Sequence, residues 1–184
     1  MAHEHEVGAN HRFCPACGSV LETKRVQGAI RPACPSCGFV HFRNPAVAAI
    51  CVVVEDDRIL LVRRAAGLDG EGMWSLPGGF VDADEDIRAA AVRELKEETG
   101  LDGSATRVID VRSVDNDPGK PTVAVWFATT LVDGGVLQPG DDAEAASWFP
   151  LDDPPTLAFD GDAALIAGIR DGADPYARLA DGEF

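Results

Sequence analysis

The 184-residue chain predicts an α/β protein with a mixed sheet, preceded by a small N-terminal cysteine ribbon. Three observations carry that expectation: two Cys-x-x-Cys-Gly knuckles within the first 40 residues, one long helix signal with clear start and stop residues, and β-branched apolar runs on both sides of that helix. A composition of 46% hydrophobic and 26% charged residues suits one mid-sized globular domain plus an appendage.

The ribbon rests on Cys14-Pro-Ala-Cys17-Gly18 and Cys34-Pro-Ser-Cys37-Gly38, with sixteen residues between them. Each turn lets two thiolates reach one ion, and two turns supply the four ligands of a closed tetrahedral Zn²⁺ site. With no open coordination position, the ion is expected to be structural. Disulfides are the competing reading, but the N-terminus MAHEHEVGANH has neither the basic nor the apolar region of a secretory signal. About thirty residues bury too little apolar surface to fold unaided, so metal binding is expected to supply the missing free energy. Residues 1–10 read as a flexible tail, 11–43 as the zinc ribbon, and 44–184 as the larger domain; His3, His5 and His11 are left to the frayed end. The fifth cysteine, Cys51, lies in the apolar run AVAAICVVV and reads as a buried strand residue.

In the larger domain, Ala46 to Glu55 reads as a buried strand, joined by Asp56-Asp57 to a second, Arg58 to Arg64. A glycine-rich loop from Gly67 to Gly79 follows. Asp82 and Glu85 then stand at capping-box spacing ahead of an apolar-periodic helix, and Gly100 is its stop. Val108 to Val114, Thr122 to Val132 and Ser147 to Phe149 read as strands, Asp152 to Pro155 as a loop, and Asp162 to Ile169 as a short helix.

The central helix carries the chemistry. At 100° per residue, Glu94 and Glu98 stand about 40° apart on the helical wheel, with Glu97 about 60° to the other side of Glu94. Ile87 and Ala91 share the sector of Glu94, so the acidic flank continues a face that points inward. Like charges at i, i+4 on a solvated face cost roughly a few tenths of a kcal/mol, but turning them inward without a counter-charge costs far more. A divalent cation resolves the conflict, and hard carboxylate oxygens select Mg²⁺ or Mn²⁺, with water and substrate phosphate oxygens completing the shell.

From Gly79 to Leu101 the chain reads GFVDADEDIRAAAVRELKEETGL, with Gly79, Glu85, Arg93-Glu94, Glu97-Glu98 and Gly100 at the spacings of the Nudix box. With Trp74-Ser75-Leu76-Pro77-Gly78 before it and Trp148-Phe149 downstream, the chain resembles the Nudix hydrolases. The ribbon, Arg43-Asn44-Pro45 and Leu157-Ala158-Phe159 are similar to a zinc-ribbon-bearing branch that includes ADP-ribose and FAD pyrophosphatases. The resemblance implies a Nudix-type α/β/α sandwich and metal-dependent hydrolysis of a nucleoside diphosphate linked to another moiety, by water attack on a pyrophosphate phosphorus. It implies that the Gly79 carbonyl, Glu94 and Glu98 hold the metal with Glu97 as a further ligand, while Arg93 and Glu85 orient those glutamates. It also implies a further acid from the loop before Trp148-Phe149, where Asp142 and Glu144 are both candidates. NADH pyrophosphatases carry a ribbon too, but their Ser-Gln-Pro-Trp-Pro-Phe-Pro stretch is replaced by Leu101-Asp102-Gly103-Ser104-Ala105. ADP-ribose or a related ADP-linked dinucleotide such as FAD or NADH is therefore the expected substrate. The alternatives are a pyrophosphohydrolase that sanitises nucleoside triphosphates and an ADP-ribose-sensing binding module, the latter disfavoured by the retained glutamates. Trp74, Phe80, Trp126 and Phe159 could stack on adenine, though strand and loop aromatics more often fill cores, and Arg63 or Arg64 could pair with a phosphate.

Charge bounds the partners. The chain has 31 acidic and 16 basic residues, a net −15, which repels phosphate backbones; with no local basic patch evident, polymeric nucleic acid is not expected. Twenty Asp against eleven Glu, and three Lys against thirteen Arg, suit a halophilic protein in a salt-rich cytoplasm, or simply a GC-rich genome. The longest apolar run, Ala46 to Val54, is far shorter than the roughly 20 residues a spanning helix needs, so no membrane association is expected. The expected protein is cytoplasmic, acts on a small nucleotide, and is compatible with a ribbon-mediated homodimer.

Overall fold

The computed structural model describes residues 12–114, 120–132, 135–140 and 142–173. The chain divides into two compact units, Met1–Asn44 and Pro45–Phe184.

In the first unit the two knuckles close alike. Gly18 and Gly38, at φ 75° and 80°, donate their N–H groups to the carbonyls of Cys14 and Cys34, a left-handed turn that favours glycine. Between the knuckles, β1 (Glu22–Val26) and β2 (Ala29–Ala33) pair as an antiparallel hairpin. Gln27 and Gly28 turn it at φ 50° and 80°, which matches the twist of paired strands.

In chain order the second unit runs β3 (Ala46–Val52), β4 (Val54–Glu55), β5 (Arg58–Arg64), β6 (Trp74–Ser75), β7 (Gly78–Phe80), α1 (Ile87–Thr99), β8 (Gly103–Val114), β9 (Thr122–Leu131), β10 (Ala143–Pro150) and α2 (Asp160–Arg170). One sheet has the order β7-β3-β9-β8, with β3 and β9 parallel and the other pairs antiparallel; a second gathers β10, β4 and β6 on β5. Alternation along β9 builds two cores, because successive strand side chains point to opposite faces. Val125 and Phe127 join Ala90, Ala91 and Leu95 of α1, whereas Ala124 and Trp126 join Leu165, Ile166 and Ile169 of α2. The result is the expected α/β/α sandwich with a mixed sheet. Cys51 is a packing residue: its Sγ–H donates to the Ala91 carbonyl at 3.1 Å, and burial pushes its thiol up to about 12.

Three local expectations need correcting. The strand expected over 46–55 breaks at Val53, where the chain leaves one sheet and, as β4, joins the other through the Asp56-Asp57 turn. The short strands β6 and β7 lie inside the stretch read as a loop, since two or three residues show no periodicity. The cap of α1 is Asp86, in extended conformation, which accepts from the Arg88 and Ala89 N–H groups at 2.9 and 3.3 Å. Glu85 is not free to close a capping box, because its carboxylate is taken by Arg93. Gly100 does end the helix, at φ 73°. No helix among the described residues is long and apolar enough to cross a membrane.

Candidate active site

Pairing with β3 lays β7 across the acidic flank of α1, with Gly78 opposite Ile50 and Gly79 opposite Ala49. A Cβ on Gly79 would collide with the Glu94 carboxylate, and one on Gly78 would stand 2.6 Å from the Ala49 carbonyl oxygen. The glycine pair is required because this backbone is squeezed between a carboxylate and a sheet.

Glu98 is 5% exposed and accepts the Gly78 N–H at 2.9 Å. Burial pushes its carboxyl up to about 8, against that hydrogen bond, and the nearby Glu94 and Asp142 charges add to the rise. Arg93 gathers the other glutamates. Its Nε and Nη2 donate to the two Glu85 oxygens at 2.9 and 3.0 Å, and its Nη1 to Glu94 and Glu97, both at 2.9 Å. Such a planar fork suits bidentate carboxylate binding. It holds Glu85 below the usual carboxylate range and raises the guanidinium's own pKa. Gly79, Glu94, Glu97 and Glu98 line one cavity of about 600 Å³.

The donors fit a hard divalent cation. Glu98 is a buried carboxylate that makes no ion pair among the described residues, and Glu94 lies against the Gly79 backbone with no room for a side chain between. Oxygen donors of this kind suit Mg²⁺ or Mn²⁺. The ribbon presents the opposite chemistry. The Sγ atoms of Cys14, Cys17, Cys34 and Cys37 all lie within 4.8 Å of one another, with Cys14 and Cys37 at 3.6 Å and Cys17 and Cys34 at 3.5 Å. A disulfide would bring two sulfurs to about 2.05 Å, whereas tetrahedral Zn–S bonds of about 2.3 Å space them by about 3.8 Å. The four thiols therefore fit zinc.

The two candidate loop acids part company. Asp142 lines the cavity. Glu144 is outside the lining, its carboxylate bound to Arg63 at 3.3 Å and to the Ala66 N–H at 3.2 Å. Neighbouring arginines on β5 diverge in the same way, since Arg64 lines the cavity and lies over the Phe159 ring at 4.9 Å. Phe80, Trp126 and Phe159 reach the lining, while Trp74 packs edge-on against Phe149 at 4.6 Å.

Two lining residues had no functional signal in the sequence. Asp162, 2% exposed, accepts the Trp126 Nε1–H and the Leu76 N–H, both at 3.0 Å, and burial pushes its carboxyl up to about 6. In the sequence it reads only as an acid near a helix start. Lys120 places Nζ 3.2 Å from the centre of the Phe80 ring, a cation–π contact between residues 40 apart in the chain.

The NUDIX domain family model matches residues 43–168. The chain is 40% identical over 120 residues to the ADP-ribose pyrophosphatase of Methanocaldococcus jannaschii, covering 65% of this chain and 70% of that protein. It is 29% identical over 148 residues to the NAD-capped RNA hydrolase NudC of Pseudomonas aeruginosa, covering 80% of this chain but 51% of that one, so it spans about half of NudC. Among solved structures, a NUDIX hydrolase from Nitrosomonas europaea is similar with a TM-score of 0.75 and 25% identity, over 91% of this chain and 97% of that one. An ADP-ribose pyrophosphatase from Streptococcus suis is similar with a TM-score of 0.56 and 32% identity, over 71% and 96%. With the box residues gathered round one cavity and these likenesses over most of its length, the chain belongs to the NUDIX domain family and is a Nudix hydrolase.

Proposed function

We propose that the protein is a Mg²⁺- or Mn²⁺-dependent pyrophosphohydrolase that cleaves the diphosphate of ADP-ribose or a related ADP-linked dinucleotide. The observation that carries this reading is the buried Glu98 beside Gly79 and Glu94, with Arg93 fixing Glu94 and Glu97. The 40% identity to an ADP-ribose pyrophosphatase supports the choice of substrate.

In this reading Glu94, Glu98 and the Gly79 carbonyl hold the cation, with Glu97 as a further ligand. A cation bound there neutralises diphosphate charge and acidifies a water. Arg93, anchored by Glu85, draws Glu94 and Glu97 together and fixes their direction. Asp142 takes the proton of the attacking water, supported by its place in the cavity lining and by its closeness to Glu98, whose carboxyl its charge raises by repulsion. Arg64 bears on the substrate phosphates, since it lines the same cavity. The ribbon binds zinc as a structural ion, and its reduced thiols suit a cytoplasmic enzyme.

The test is a panel of ADP-ribose, FAD, NADH, diadenosine polyphosphates and nucleoside triphosphates, incubated with protein and Mg²⁺ and read by chromatography. ADP-ribose is expected to yield AMP and ribose 5-phosphate, and Glu97→Gln or Glu98→Gln to remove most turnover while the fold persists. Turnover of triphosphates alone would sink the dinucleotide reading.

A further inference from the structure

Charge is divided unequally between the two units. The first unit, residues 1–44, holds five basic residues, Arg12, Lys24, Arg25, Arg31 and Arg43, against three acidic, Glu4, Glu6 and Glu22; residues 45–184 hold eleven basic against twenty-eight acidic. Zinc with four thiolates, formally −2, would leave residues 12–44 at +2 and the whole first unit near neutral, against −17 for the larger unit. The net −15 that argues against nucleic acid is therefore a property of the larger unit.

The hairpin register sharpens this. Lys24 of β1 stands directly opposite Arg31 of β2, and like charges so placed destabilise a strand pair. Neither makes an ion pair among the described residues, and Arg31 Nε is buried without a hydrogen-bond partner. The Arg31 guanidinium lies over the Phe42 ring at 4.6 Å, and Phe42 is 41% exposed. On the same unit Arg12 lies over Phe13 at 5.6 Å, and Phe13 is 54% exposed. Two of these cations face each other uncompensated, and exposed rings stand beside cations; phosphates neutralise such cations, and bases stack on such rings.

We propose that the ribbon hairpin is a docking surface for a single-stranded nucleic acid, with Lys24 and Arg31 on its phosphates and Phe42 offering a ring to a base. The acidic unit of a second copy is the other occupant that charge alone would admit. Exposed aromatic rings favour the nucleic acid, because carboxylates have no π-face to stack.

The experiment titrates the full-length, zinc-loaded chain into a fluorescein-labelled 20-nucleotide single-stranded RNA of mixed sequence, read by anisotropy at 50 and 200 mM KCl. Binding is expected at 50 mM and should weaken about 7-fold at 200 mM if the two phosphates on Lys24 and Arg31 are neutralised. Lys24→Glu gives Arg31 a cross-strand partner, so the hairpin and its zinc content are expected to persist while binding falls at least tenfold. Absence of binding at 50 mM KCl, or equal binding by wild type and a zinc-loaded Lys24→Glu, overturns the proposal. A salt-sensitive dimer in sedimentation that Lys24→Glu converts to monomer, without RNA binding, assigns the face to a second copy and overturns it too. None of these readings depends on hydrolysis, so they stand or fall apart from the proposed substrate.

Discussion

Glu98 and Asp162 grip one stretch of backbone from the two helices of the sandwich. Glu98 on α1 accepts the Gly78 N–H at 2.9 Å, and Asp162 on α2 accepts the Leu76 N–H at 3.0 Å. Between them the Pro77 carbonyl accepts the Cys51 N–H at 2.8 Å. The segment that carries Gly79 to Glu94 is thus tied at three successive residues, two of the ties being to buried carboxylates, where hydrogen bonds are strong and their loss costly.

Asp162 should leave a pH signature. Burial raises its folded pKa to about 6 from an ordinary 3.8, so the native state holds the proton more tightly than the unfolded chain. Its contribution to stability is therefore full below about pH 4, is lost as pH rises towards 6, and is level above that. The gap is worth up to about 3 kcal/mol. Urea titrations of wild type and Asp162→Asn across pH 4 to 7 should differ in slope over that window. A difference between the two that stays constant with pH would refute the assignment.

The two glycines should fail differently. A Cβ on Gly78 meets the backbone of Ala49 and Ile50 at 2.6 and 2.8 Å, so Gly78→Ala is expected to part β7 from β3 and cost about 1–3 kcal/mol. A Cβ on Gly79 meets the movable end of Glu94. Gly79→Ala should melt within a few degrees of wild type yet need more Mg²⁺ for half-maximal turnover. Thermal melts and a Mg²⁺ titration separate the two, and equal melting would contradict the contrast between a backbone clash at Gly78 and a side-chain clash at Gly79.

Asp142 and Glu144 make a matched pair of tests. Asp142→Asn is expected to lower kcat by about 10²–10⁴, the range for loss of a general base, with KM changed far less. Glu144→Gln removes an exposed pair with Arg63, which is worth about 1 kcal/mol at most, and should leave kcat within about twofold. The reverse order in steady-state kinetics would move the acid to Glu144.

Metal analysis of freshly purified, reduced protein should find one zinc per chain. Cys14→Ser should abolish that zinc and the slow amide exchange of residues 12–44. The larger unit builds its two cores from its own residues, so its melting transition should persist. Zinc-free protein with a protected ribbon would defeat the claim.

Much of the site was legible because its signals are local. The spacing of Glu94, Glu97 and Glu98 on one helix, the Gly100 stop and the two knuckles depend on residues a few positions apart, whose geometry helices and turns fix. The cap was misread because Glu85 has a partner eight residues away in Arg93, and a stronger bidentate pair outcompeted the capping box. Nothing local could choose between Asp142 and Glu144, since the choice rests on Arg63, about eighty residues earlier, drawing Glu144 away.

By itself, then, the sequence determined the fold class, the carboxylate helix and the thiol quartet, because periodicity and short spacing set them. Only the tertiary structure decided which acid meets the cavity, that Asp162 is buried against Leu76 and Trp126, and that Lys24 faces Arg31. Those facts depend on strand register and on which helix end meets which sheet, and both arise from the packing of segments distant in the chain.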